Sequence, residues 1–177
     1  LLLELLSKPI FDKLIEEQDF DEIVKRALHV VNKTNLIFPN EKMGLKDGLK
    51  SPEHIQLFSE CLFELLYGTE EFKKRFEGFA KCLDDIGAAK WTTMTYFSFL
   101  AFPEKQMFLK PVVTKHATAL SKARLNYKPE LNWLTYSSLL KFADYLKEEL
   151  TKMDMNPRDM IDVQSFMWCI APGKYYH

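Results

Sequence analysis

The chain predicts an all-α fold of about six to eight helices in one compact domain, on three observations. Aromatic residues make up 14% of the 177 residues while glycine occurs only 6 times, a balance that suits packed helices better than a turn-rich β fold. Apolar residues recur at helical steps through most of the chain. Ser, Asp and Asn stand in front of several of these periodic stretches, where a side-chain oxygen can cap a helix.

Taken in order, Leu14, Ile15, Ile23, Val24, Ala27, Leu28 and Val31 fall mostly at helical spacing, and Asp19 and Glu22 are placed as N-cap and capping-box partner. They predict a helix from Phe20 to Asn32. Pro39, Gly44 and Gly48 interrupt the next stretch, which reads as a connector from Thr34 to Asn40 followed by one weak helical segment. Ser51-Pro52-Glu53 supplies a cap, a proline at the first helical position and an acid in the first turn, so a helix from Pro52 to Tyr67 follows, closed by Gly68. Thr69 with Glu70 and Glu71 behind it starts another, which runs to Asp84, buries Phe72, Phe76, Phe79, Ala80 and Leu83, and ends at Gly87.

The run Trp91 to Phe102 is rich in β-branched and aromatic residues, yet its length and near-continuous apolarity, with no partner strand elsewhere, predict a buried helix. Pro103 and Pro111 bracket a loop, and Val112 to Ala123 forms a short helix whose outer face offers Lys115, His116 and Lys122. Asn132 caps a long helix from Trp133 to Thr151 with a stripe of Leu139, Leu140, Phe142, Ala143, Leu146 and Leu150. Asn156-Pro157-Arg158-Asp159 repeats the cap pattern for a last helix through Trp168, stopped by Pro172-Gly173. No repeat or long linker divides the chain, so residues 1–177 read as a single helical domain.

Charge is unevenly spread. Between Ile86 and Pro129 lie seven bases, Lys90, Lys105, Lys110, Lys115, Lys122, Arg124 and Lys128, against the single acid Glu104, although the whole chain carries a net charge of -1. A segment of this kind predicts a positive face for an anion, and its neighbours Trp91, Tyr96, Phe97, Phe108 and Tyr127 suggest rings that stack on bases while the cations meet phosphates. The alternative is that the rings fill the core and the lysines form a solvated surface.

Gly87-Ala88-Ala89-Lys90-Trp91-Thr92-Thr93 resembles the helix-hairpin-helix of DNA glycosylases of the alkylation-repair kind, where a Gly-x-Gly-x-Trp-Thr-Ala turn aims N–H groups at a DNA phosphate. Gly87, Trp91 and Thr92 match, whereas Ala89 and Thr93 depart from the pattern. The stretch Phe108-Leu109-Lys110-Pro111-Val112 lacks the aspartate that the family uses in catalysis. The resemblance spans Thr69 to Val112 and implies DNA binding without glycosylase chemistry. Gly87 is equally well explained as a helix C-cap. The strings TNLIFPNEKM, MFLKPVVTKHA, NWLTYSSLL and PRDMIDVQSFMW, which sample Thr34 to Trp168, are similar to a group of bacterial proteins of no established function. That resemblance implies a shared fold and a bacterial source, and brings no reaction, cofactor or site.

Enzyme signatures are sparse. His29, His54, His116 and His177 form no HxxxH or HExxH pattern, so neither a metal nor another cofactor is implied. His116 lies among lysines, and with Asp162 and Arg158 it forms the one constellation from which a catalytic pocket would be built. The acids Asp159, Asp162 and Glu41 at the starts of the last helix and the earlier short one suit the positive end of the helix dipole; the alternative is that Arg158 pairs with a carboxylate across the bundle, such as Glu41, while Asp162 and Gln164 lie close to positions that look buried. Cys61, Cys82 and Cys169 are far apart in sequence and form no CxxC motif, which predicts a reducing cytoplasm. Leu1 to Leu6 has no basic leader, contains Glu4 and gives way to Ser7-Lys8-Pro9, against a signal peptide or a membrane span. The absence of an initial Met points to a start upstream.

Three functional expectations follow. The first is a non-catalytic binding module whose nucleic-acid contacts come from Gly87, Lys90, Trp91, Thr92, Lys105, Lys110, Lys115, His116, Lys122 and Arg124. The second is an interaction or scaffold component that docks a protein partner through a polar-rimmed aromatic patch. The third is an enzyme with a pocket near His116 and Asp162.

Overall fold

The structure is a computed structural model and describes residues 1–171. Among these residues there are ten helices and no strand: α1 (Leu2–Leu6), α2 (Lys8–Glu16), α3 (Phe20–Asn32), α4 (Pro39–Gly48), α5 (Pro52–Tyr67), α6 (Phe72–Asp85), α7 (Trp91–Ala101), α8 (Pro111–Leu120), α9 (Trp133–Lys152) and α10 (Met160–Cys169). The all-α class stands. The count is above the expected range because the N-terminal apolar stretch forms two helices, broken where Ser7 is extended. Pro172-Gly173, the expected stop of the last helix, lies outside the described residues.

Capping chemistry sets the boundaries. Asp19 accepts the Glu22 N–H at 3.2 Å, Ser51 the His54 N–H at 3.2 Å, and Asn132 the Thr135 N–H at 2.8 Å. The reciprocal half of the box at Glu22 is missing, because its carboxylate bonds Lys25 and Arg26 instead. Helix α6 begins later than Thr69 predicts. Glu70 turns to Lys74 as an i,i+4 partner at 2.9 Å rather than to a first turn, and the chain passes through an extended Glu71 before it coils. Helix α10 likewise starts at Asp159 and not at Asn156. Asp159 Oδ1 accepts the N–H groups of Ile161 and Asp162, while Asn156 has a left-handed φ of 45°.

Buried side chains from all ten helices join one continuous core. Phe58, Phe79 and Phe97 meet in its centre at centroid distances of 5.8 to 6.4 Å, and Phe76 stacks on Tyr136 at 4.8 Å. Helix α7 is sunk in this core, with every residue but Leu100 buried, and it packs against α1, α4, α5 and α6. Thr93, Thr95 and Ser98 donate their hydroxyls to carbonyls nearby in the chain, and Thr95 Oγ1, which donates to the Trp91 carbonyl at 2.7 Å, also accepts the Leu109 N–H at 2.9 Å, whereas the buried Thr92 Oγ1 has no partner among the described residues. No helix among the described residues is long and apolar enough to cross a membrane.

The segment after α7 is irregular and yet buried from Gln106 to Lys110, so its backbone polar groups need partners. Tyr136, fully enclosed, supplies one by accepting the Met107 N–H at 3.1 Å while donating to Gln106 Oε1 at 3.0 Å. Burial pushes its hydroxyl pKa above the ordinary tyrosine value. Pro103 accepts the Met160 N–H at 2.8 Å, which docks the start of α10 on the same segment.

Candidate nucleic-acid interface

The Gly87 turn comes first, since the helix-hairpin-helix resemblance rests on it. Gly87 has a φ of 72°, its N–H bonds the Asp84 carbonyl at 2.9 Å, and the Ala88 N–H bonds the Leu83 carbonyl at 2.7 Å. This is a Schellman closure of α6, and it spends both N–H groups inside the protein. Trp91 and Thr92 are buried, and the Trp91 indole donates to the Lys128 carbonyl at 2.9 Å. Tyr96, Phe97 and Phe108 are core residues as well, so of the five rings near the basic segment only Tyr127 is half-exposed.

The bases divide into three groups. Lys110 points inward. Only 5% exposed, it donates Nζ to the Leu36 carbonyl at 2.6 Å and sits 3.5 Å from the centroid of the Phe38 ring. Desolvation lowers its pKa, with the nearby Glu41 carboxylate pulling the other way. It therefore joins the TNLIFPNEKM string to MFLKPVVTKHA, and its ammonium is withdrawn from the surface. Lys105 is exposed but lies beyond the far end of α7 from Lys90, about 16 Å along an eleven-residue helix.

The third group gathers around the connector between α8 and α9. Lys115, Lys122, Arg124 and Lys128 are all exposed, and Lys115 Nζ lies 4.6 Å from the centroid of the Tyr127 ring. The indole bond to Lys128 brings this connector against the start of α7, next to exposed Lys90. Bracing comes from α9: Thr135 Oγ1 donates to the Asn126 carbonyl at 2.7 Å, and Asn126 Nδ2 donates to Ser138 Oγ at 2.9 Å. The loop is therefore a fixed platform for its cations.

Beside it lies a groove of about 390 Å³, lined by Arg124, Asn126, Leu134, Ser138, Lys141 and Tyr145 among others. Lys141 and Tyr145 are absent from the sequence-based set. The signal was available, since Leu134, Ser138, Lys141 and Tyr145 recur at i, i+4, i+7 and i+11 on α9, an outward stripe opposite the core positions. Leu134 is 58% exposed and Tyr145 52%.

None of Lys90, Lys105, Lys115, Lys122, Arg124 and Lys128 forms an ion pair among the described residues. Lys8, Lys13, Lys25, Arg26, Lys50, Lys74, Lys152 and Arg158 all do, while Lys33, Lys46, Lys73 and Lys81 are exposed and unpaired as well among the described residues.

Two members of the catalytic constellation, Arg158 and Asp162, meet at the start of α10. Arg158 binds Asp162 on its own helix start through Nε at 2.9 Å and Nη2 at 3.1 Å, and its backbone N–H adds a third bond at 2.9 Å. These contacts hold the Asp162 carboxyl down at about 2. The alternative of a link from Arg158 to Glu41 is not realised, because Glu41 turns back to accept the Phe38 N–H at 3.0 Å and closes the start of α4, the helix-start role its position suits. Asp162 is half-exposed, while Gln164 is buried. His116 is half-buried on α8 and has no carboxylate partner among the described residues. Set against protein-family models, curated proteins and solved structures, the chain matches none of them.

Proposed function

We propose that the protein is a non-catalytic helical module that binds nucleic acid through the α8–α9 connector, the start of α7 and the neighbouring groove. The observation that carries this reading is the set of exposed, unpaired cations, Lys122, Arg124 and Lys128 on a braced loop and Lys90 and Lys115 on the helices beside it. Cations without internal partners give up little on meeting a phosphate, and each phosphate neutralised releases counterions. Tyr127 and Tyr145 are the rings within reach of a base, which favours single strands, whose bases are free to stack.

The test is fluorescence-anisotropy titration against labelled single-stranded DNA, RNA and duplex DNA at two salt concentrations. Affinity falls steeply with salt, and Lys115→Glu, Lys122→Glu and Arg124→Glu each weaken binding and shrink the salt slope by about one. No binding at low salt ends this reading. Salt-insensitive association with a protein partner would then favour the second one, docking through Leu134 and Tyr145, which are both more than half exposed.

A further inference from the structure

The groove beside the α8–α9 connector is built mainly on the outward stripe of α9. Ser137, Ser138, Lys141 and Tyr145 line it from the helix, and Arg124 and Asn126 from the connector. Ser138 and Tyr145 stand about 10 Å apart along the helix axis, with Lys141 between them. A polar end, a cation and an exposed ring therefore follow one another in a row.

Hydrogen bonding decides what the polar end can offer. Both serine hydroxyls turn back on their own helix and donate to the Leu134 carbonyl, Ser137 at 3.2 Å and Ser138 at 2.7 Å. A hydroxyl has one proton, so towards the groove both oxygens can only accept. Ser138 Oγ takes an N–H of Asn126 at 2.9 Å. With no proton left on that serine, the amide can meet it only through its nitrogen, and Asn126 Oδ1 is left as an acceptor with no donor among the described residues. Ser137 Oγ is a second such acceptor.

We propose that this groove selects a nucleobase with an exocyclic amine, adenine or cytosine, in a single strand; the proposal rests on the nucleic-acid reading above and adds the base chemistry to it. The two N–H groups of the amine meet Ser137 Oγ and Asn126 Oδ1, and the second N–H of Asn126 meets the ring nitrogen beside the amine. Lys141 takes the phosphate that follows, Tyr145 stacks on the next base, and Arg124 holds the backbone from the connector side. Uracil and thymine present a single N–H between two carbonyls. One of the two acceptors then goes without a donor, and a polar group covered in this way costs affinity.

The experiment measures affinity of the full chain for matched pairs of labelled single strands that differ only at the amine: deoxycytidine against deoxyuridine, and deoxyadenosine against its analogue without the amino group. The amine-bearing member of each pair binds about fivefold tighter, and the two members share one salt slope, since their phosphates are the same. Ser137→Ala leaves the bond from Asn126 to Ser138 in place and removes most of the preference, with binding of deoxyuridine unchanged. Tyr145→Ala weakens every strand alike, by about tenfold, because stacking is indifferent to the base. Equal affinity within both pairs, together with a steep salt slope, overturns base selection and leaves the wider nucleic-acid reading standing. A preference that survives Ser137→Ala undiminished overturns the assigned contacts, and absence of binding to every strand at low salt ends both readings.

Discussion

Lys110 shows how a single residue can leave the group its sequence neighbours define. Its stem is buried and its ammonium is held by the Leu36 carbonyl and the face of Phe38. Lys110→Ala removes the packing and leaves that carbonyl without its donor, so urea denaturation should show a loss of about 2 kcal/mol. The pH dependence has a definite sign. The folded pKa is depressed and the unfolded value is about 10.4, so between the two the unfolded chain binds more protons and stability rises with pH. The deficit of Lys110→Ala relative to wild type therefore grows through that alkaline window. Asp162 has the same sign at the acid end of the scale. Its folded pKa is about 2 and the unfolded value about 3.9, so its contribution is complete above the unfolded value and is lost as pH falls through the folded one. Both partners reach solvent, so the effect on stability is small. NMR titration is the better measure: Arg158→Ala should return the carboxyl midpoint towards about 3.9.

At the level of elements, α3 and α5 keep the predicted bounds because each has a side-chain cap that binds where the sequence puts it. Helix ends were harder to read. Gln18, Lys122 and Asp154 hold the left-handed position just beyond α2, α8 and α9, with φ of 55°, 53° and 62°. In each case the following N–H closes back on the helix, as from Ala123 to the Thr118 carbonyl at 2.8 Å. Glycine is the usual residue there, and its absence hid the end of α8, which the sequence places at Ala123 and the structure at Leu120, whereas α9 ends within one residue of the predicted Thr151. Replacing Gln18 or Asp154 by glycine should raise stability by up to about 1 kcal/mol in thermal or urea unfolding. The glycines inside helices behave in the reverse sense. A Cβ at Gly44 or Gly78 meets nothing within 4 Å, whereas one at Gly48 runs into the Ile86 carbonyl. Gly44→Ala and Gly78→Ala should each gain about 0.5 to 1 kcal/mol, and Gly48→Ala should lose stability in the same assay.

For the whole molecule, the helical class and most elements were legible, since apolar periodicity and caps are local signals. The surface was less so. Linear order counts Lys110 with Lys115, and only the packed chain turns one inward and the other out. It also cannot bring Lys141 and Tyr145 beside Arg124, because that meeting depends on how α9 lies against the connector. The apolar run from Trp91 is the clearest case of a feature read correctly for a global reason. A helix that is apolar all round has to be interior. Amide hydrogen exchange should therefore be slowest across Trp91–Ala101, at the rate set by global unfolding, while α10 and the exposed end of α9 exchange sooner.

Every helix that α7 packs against closely, α1, α4, α5 and α6, precedes it in the chain. During synthesis these segments leave the ribosome first, at about 5–20 residues per second, so a cradle for Trp91–Ala101 has been made before that run emerges. This buried apolar run thus has its partners waiting, and α8 to α10 close over a core that the nascent chain has already begun to build.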